Sequence, residues 1–88
     1  MPHDPYLVFL TASAMREIDR LDGVIFRRIE KRIDALASNP RPSGCVKLVD
    51  STNEWRIRVG DWRIIYTIDD TQHRIDIIGV RHRSVAYD

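Results

Sequence analysis

The apolar residues of the chain follow two periods, one near 3.6 residues up to residue 37 and one of two residues from residue 46 onward. In the first part they fall into two groups with the spacing of one helix face. The groups are Ala14, Ile18 and Leu21, and Phe26, Ile29, Ile33 and Leu36. The pattern predicts a helix that starts after Thr11 or Ser13, either of which can cap it, and a second helix over about residues 24 to 37.

The other apolar segments are typical of β-strands. A short run of β-forming residues precedes the helices, and residues 46 onward alternate between apolar and polar. The predicted strands cover residues 6–10, 46–49, 54–59, 62–68 and 73–80. Gly60 and Asp61 have the composition of a tight hairpin turn, and residues 69–72 form the next turn.

The order of these elements predicts an α+β fold. An N-terminal strand is followed by two helices, which the Asp22-Gly23 break should arrange as an antiparallel hairpin. Three to four mostly antiparallel strands then complete a twisted sheet, and the helices should cover one of its faces. With 88 residues and no linker, residues 1–88 are expected to form a single domain.

Composition narrows the classes of function. No apolar run approaches the roughly 20 residues that span a bilayer, and the first residues lack the features of a signal peptide. Cys45 is the only cysteine, so a zinc cluster is unexpected and a reducing cytoplasm is the expected location. The net charge of +1 does not by itself indicate a nucleic-acid-binding protein.

The placement of the arginines is more informative than the net charge. Strand residues alternate between faces, so Arg56 and Arg58 should share the face opposite Trp55 and Ile57. Arg63 on the partner strand should point to the same side. Arginines on an open sheet face are ordinary solvated residues in most proteins. Several like charges side by side repel, however, and an anionic ligand would compensate them.

The motifs that carry these arginines resemble those of a known family. Residues 55–66 give an aromatic, a basic-x-basic strand, Val-Gly-Asp, a second aromatic, Arg, two apolar residues and Tyr. Residues 39–44, Lys47-Leu48 and residues 81–87 extend the match, the last with a His-Arg pair followed by Tyr87. The chain resembles the RelE/ParE toxin superfamily, and in particular the toxins of RelE-type type II toxin–antitoxin pairs.

The resemblance implies a metal-independent endoribonuclease that cleaves mRNA on the ribosome and needs no cofactor. It implies catalytic roles for Arg63, for Arg81 or Arg83, and for Tyr87, with Arg56, Arg58 and Lys47 as phosphate- or RNA-binding residues. The ribose 2′-OH would attack the adjacent phosphate, and the arginines would stabilise the added negative charge.

Two groups are candidates for proton transfer. Tyr87 is the candidate general base, because nearby arginines favour the phenolate of a side chain whose ordinary pKa is about 10. His82 is the rival and the candidate general acid, since arginine is a poor proton donor. The basic-x-basic pair holds lysine in some relatives and only arginine here, which leaves the identity of the acid open.

The resemblance also implies partners. An antitoxin should wrap the toxin, and the complex should reach operator DNA only through the antitoxin. Other expected partners are the ribosome and mRNA. No association with a membrane is expected. Two alternatives remain at this point: a ParE-like, non-enzymatic inhibitor of DNA gyrase, and an inactive relic whose arginines only bind the antitoxin.

Overall fold

A computed structural model of the chain describes residues 4–49 and 53–84. Its elements follow the predicted order of one strand, two helices and a run of strands. They are β1 (Leu7–Leu10), α1 (Ala12–Asp19), α2 (Gly23–Leu36), β2 (Val46–Lys47), β3 (Glu54–Val59), β4 (Trp62–Asp69) and β5 (Arg74–His82). The α+β fold class is therefore confirmed.

All five strands belong to one sheet, in the order β1-β5-β4-β3-β2. The pairs β2–β3, β3–β4 and β4–β5 are antiparallel, whereas β1 runs parallel to β5. The two helices lie in the chain between β1 and the antiparallel strands. The sheet is therefore mixed, and its edges are β1 and the two-residue strand β2.

Both helices begin at a side-chain cap. The Thr11 hydroxyl accepts a hydrogen bond from the amide of Ala14 at 3.2 Å, and the Asp22 carboxylate accepts one from the amide of Ile25 at 3.1 Å. Each cap satisfies an amide of the first turn that has no partner within the helix. Asp22 thus starts the second helix as well as separating it from the first.

The helices and one face of the sheet enclose the apolar core. Ile29, Ile33 and Leu36 of α2 pack with Ala14 and Ile18 of α1 against the sheet. The sheet contributes the alternate residues Ile57, Val59, Ile64, Tyr66, Ile68, Ile75, Ile77 and Val80. Burying one such side chain stabilises the fold by roughly 1.5–3 kcal/mol. The face away from the helices is called the open face below.

A β-bulge in β5 decides which residues reach the open face. Ile65 pairs with Gly79 but Tyr66 pairs with Ile77, so Ile78 is an extra residue in β5. Simple alternation from Ile75 and Ile77 would place residues 79 and 81 toward the helices. The extra residue reverses the phase, and Gly79 and Arg81 face the open side instead.

Two strand bounds differ from the prediction by two residues, and three others differ by one. Strand β5 continues to His82, two residues beyond the predicted end, so Arg81 and His82 lie within the sheet and not after it. Strand β2 covers only Val46–Lys47. In the part of the chain that the structure describes, no helix is long and apolar enough to cross a membrane.

Candidate functional site

Three arginines lie side by side across the open face. Arg58 pairs directly with Arg63, and Arg63 pairs with Arg81 on the next strand. The neighbouring row consists of Arg56, Ile65 and Gly79. These two rows are called the basic half of the open face. The convergence of Arg56, Arg58 and Arg63 on one face was predicted from their alternation, and the register confirms it.

The rest of the open face has a different charge. Its third row is Glu54, Thr67 and Asp76, and its fourth pairs Asp69 with Arg74. Arg74 donates to Asp76 through Nη2 at 3.0 Å, and its guanidinium lies 4.1 Å from the ring centroid of Phe9. These two rows are called the acidic half. Its single arginine is bound to an aspartate of the same strand.

Arg63 lies in the middle of the basic half. Only 8% of the residue is exposed, although it lies on the face away from the helices. Burial lowers the pKa of its guanidinium, and the positive charges of Arg58, Arg56 and Arg83 lower it further, against a smaller opposite effect of Asp61. Like charges thus act on Arg63 from several sides, which is the electrostatic environment that an anion would relieve.

Arg83 reaches this site from beyond the end of β5. Its amide donates to the carbonyl of Asp61 in the β3–β4 turn at 2.7 Å, which ties the chain after β5 to that turn. Since its charge acts on Arg63, Arg83 belongs to the same electrostatic group. Arg81 instead directs its Nε toward Glu17 of α1, at 3.2 Å from Oε2. The two arginines that the sequence could not distinguish therefore have different surroundings.

His82 lies on the other face of the sheet. It pairs with Trp62, whose ring it meets edge-on at a centroid distance of 5.4 Å. Its Nδ1 accepts a hydrogen bond from the amide of Ser84 at 3.2 Å and lies 3.0 Å from the hydroxyl oxygen of the same residue. The sequence expectation that His82 would join the arginines is wrong as to position.

Lys47 is also separated from the arginines. It pairs with Trp55, which packs at the edge of the core, so its side chain is on the helix side of the sheet. There its Nζ lies 6.0 Å from the centroid of the Trp55 ring, with the guanidinium of Arg41 at 5.0 Å from the same ring. Tyr87, the predicted general base, lies outside the described residues.

Comparison with known proteins identifies the family. The family profile described as the ParE toxin of the type II toxin–antitoxin system matches residues 8–87. A protein of Mycobacterium tuberculosis named Toxin RelE is 36% identical over 84 residues, which cover 94% of this chain and 87% of that protein. The chain belongs to the RelE/ParE family of type II toxins.

Solved structures agree with this assignment of the toxin. The archaeal RelE–RelB complex of Pyrococcus horikoshii matches with a TM-score of 0.81 and 25% identity, over 93% of the toxin and 99% of that chain. The toxin–antitoxin complex RelBE2 of Mycobacterium tuberculosis matches with a TM-score of 0.80 and 27% identity, over 90% and 99% of the two chains. The resemblance found in the sequence motifs is thereby confirmed.

Sequence reasoning missed two residues next to the arginines of the toxin, Glu17 and Gly79. Glu17 is one of three charged residues of the short helix α1, and its spacing carries no signal that it reaches β5. Gly79 did carry one, because a glycine inside a strand often marks a bulge or a close approach of another group. Both are found here, the bulge at Ile78 and the side chain of Arg81.

Proposed function

We propose that the toxin is a metal-independent endoribonuclease that cleaves mRNA on the ribosome, in the cytoplasm. The observation that carries the proposal is the row of Arg58, Arg63 and Arg81 on the open face. Guanidinium groups bind phosphate oxygens bidentately and keep their charge at any relevant pH. A single phosphodiester is small enough to contact more than one of them, because adjacent strands are about 4.8 Å apart.

The reaction uses a nucleophile that the RNA itself carries. The ribose 2′-oxygen forms a bond to the adjacent phosphorus and the bond from phosphorus to the 5′-oxygen breaks, which leaves a 2′,3′-cyclic phosphate and a 5′-hydroxyl. One proton leaves the 2′-OH and one is gained by the 5′-oxygen. Arg63 and its neighbours stabilise the charge that develops on the non-bridging oxygens, which is often the largest contribution to such catalysis.

The candidate residues have different roles in proton transfer and in phosphate binding. Tyr87 remains the proposed general base, on the strength of the motif alone. The position of His82 on the helix side argues against its donating a proton to a phosphate held by Arg63. Arg81 and Arg83 both stay in the proposal, Arg81 as a contact to phosphate from β5 and Arg83 as a further positive charge beside Arg63. Arg56 and Arg58 hold the neighbouring backbone of the RNA.

The proposal includes a cognate antitoxin. Two of the similar structures are complexes with one, RelE–RelB and RelBE2. In the sheet that residues 4–49 and 53–84 form, β1 and β2 are the edge strands, to which an extended segment could add by main-chain hydrogen bonds. Operator DNA would be bound by the antitoxin and not by this chain.

The activity is tested with purified toxin and an mRNA under translation. Primer extension should reveal cuts within the codon that occupies the ribosomal A site. The 3′ fragments should carry 5′-hydroxyl ends, and the 5′ fragments should carry cyclic phosphates. An mRNA with one 2′-deoxy residue at the cut position should resist cleavage there and at no other site. Absence of cuts, or cleavage of the 2′-deoxy position, would overturn the proposal.

A second candidate function follows from the description of the matching family profile, which names ParE. In that case the toxin inhibits DNA gyrase without catalysis, and its arginines contact a protein surface. A supercoiling assay separates the two functions. Inhibition of gyrase by substoichiometric toxin, together with intact mRNA in the translation assay, would favour the second.

A further inference from the structure

We infer that Glu17 and Gly79 form a positioning device for Arg81, an inference that rests on the proposed ribonuclease function. Glu17 lies on α1, and its two carboxylate oxygens have different partners. Oε2 accepts from Nε of Arg81 at 3.2 Å, and Oε1 accepts from the amide of Val80 at 2.9 Å. One carboxylate thus binds both the backbone of β5 and the side chain of the next residue.

The edge of β5 explains why the carboxylate is held in place. Strand β1 covers β5 only from Arg74 to Ile77, and the amide of Thr11 then bonds to the carbonyl of Ile77. Among the described residues no strand pairs with that edge beyond this point, so the amide of Val80 would lack a β-sheet partner there. Oε1 of Glu17 supplies the acceptor through a charge-assisted bond, which fixes the direction of Oε2.

The lack of a side chain at Gly79 leaves room for the guanidinium of Arg81. A Cβ at this position would lie 3.0 Å from Nη2 of Arg81 and 3.1 Å from both Cζ and Nε. The guanidinium therefore lies against the backbone of the residue two positions before it. Gly79 is not among the residues with positive φ, so the backbone does not require glycine there. The close approach of Arg81 is the reason for glycine that the structure supplies.

The consequence is a fixed direction for Arg81. Its Cα lies in the row of Arg63, but its guanidinium is folded back over Gly79, in the row of Arg56 and Ile65. The bond to Glu17 occupies one of the five N–H groups of a guanidinium and leaves the four on its terminal nitrogens for a phosphate. Holding a charged group in one orientation lowers the cost of aligning it during the reaction.

If the ion pair of Glu17 and Arg81 served only stability, mutations of it would have a different effect on activity. Removal of a partly exposed pair changes stability little and leaves activity untouched. Gly79→Ala distinguishes the two roles, because alanine suits a strand at least as well as glycine and displaces only the flexible end of Arg81. We expect Gly79→Ala to keep or raise the melting temperature while it lowers kcat about tenfold, with little change in KM. Glu17→Gln should lower kcat by a similar factor.

The test measures single-turnover cleavage on programmed ribosomes for both variants, each alone and combined with Arg81→Ala. Asp19→Asn, which removes an exposed charge from the same helix, is the matched control and should cut at the wild-type rate. Neither Gly79→Ala nor Glu17→Gln should slow the Arg81→Ala protein further. Wild-type rates in both single variants, or equal losses with and without Arg81, would overturn the inference.

A second measurement does not depend on cleavage. In NMR spectra of 15N-labelled toxin, the Nε–H signal of Arg81 should be ordered and protected from exchange, unlike that of the exposed Arg20. Glu17→Gln should remove this protection. If Arg81 is as mobile as Arg20 in the wild type, the inference fails. If the signal is protected but no mRNA is cut, the ribonuclease proposal fails and the arrangement of Arg81 stands.

Discussion

The two halves of the open face are built from the same three strands, but the arginines in them have different neighbours. In the acidic half, Arg74 binds Asp76 of its own strand. In the basic half, Arg58, Arg63 and Arg81 follow one another across three strands. Like charges directly opposite on a sheet are destabilising. The basic half thus brings like charges together on neighbouring strands, with Glu17 of α1 binding Arg81 from outside the face, whereas the arginine of the acidic half is paired within its own strand.

The difference between the halves supports the proposed site for the RNA. A surface that serves only solubility has no reason to concentrate arginine in two adjacent rows and carboxylates in the next two. A phosphodiester on the basic half would relieve the repulsion, and the acidic half would repel the continuing backbone of the proposed RNA substrate. For the proposed ribonuclease, the charge pattern of the open face therefore predicts both the site and the direction of the RNA strand.

The largest expected difference between the halves is in the rate of cleavage. Arg63→Ala should lower kcat by about 10²–10³, the effect of removing one preorganised donor from a developing oxyanion. Arg74→Ala removes an arginine of the same face and should leave the rate unchanged. Single-turnover assays on translated mRNA measure both. Equal effects of the two variants would show that the halves do not differ in function.

A smaller loss of rate is expected at the edge of the basic half, together with a gain in stability. Arg58→Ala should lower cleavage about tenfold and, since it removes a like charge opposite Arg63, should stabilise the fold by roughly 0.2–1 kcal/mol. The gain should shrink in high salt. Arg74→Ala should change stability in the opposite direction, because it removes the bonds to Asp76. Urea unfolding at two salt concentrations tests the signs.

The smallest expected effect is on the pH dependence of stability, and it concerns the ion pair of Arg41 and Asp70, which lies outside both halves. Bonds from Arg41 and Tyr6 lower the pKa of Asp70 from 3.8 to about 2. A lowered folded-state pKa adds stability above the unfolded pKa near 4, and this stability is lost as the pH falls toward 2. The melting temperature of Asp70→Asn should thus depend less on pH in this window. An unchanged pH dependence would contradict the assignment. Since the pair is exposed, the difference should be small.

The sequence predicted the arginines of the basic half better than the positioning device that Glu17 and Gly79 form for Arg81. Alternation in residues 54–59 and 62–68 was enough to place Arg56, Arg58 and Arg63 together, because both strands are regular and joined by a tight turn. The same rule fails in β5, where the bulge at Ile78 reverses the phase. That reversal brings Arg81 to the open face and leaves His82 opposite the arginines.

Long-range contacts explain the remainder of what was missed. Glu17 reaches Val80 across 63 residues of sequence, and its role depends on where β1 stops covering β5. A short parallel pairing of this kind leaves no periodic signal. The face of Lys47 could not be predicted for a related reason, since a shift of one residue in the pairing of the two-residue strand β2 would move it to the other face.

The most direct test asks whether Arg63 contacts the phosphate at the cleavage site. One non-bridging oxygen of the phosphate at the cleavage site is replaced by sulfur, and the rate is measured for the wild type, Arg63→Ala and Arg74→Ala. We predict that sulfur slows the wild type and Arg74→Ala equally but has a much smaller effect on Arg63→Ala. An equal thio effect in all three proteins would contradict it.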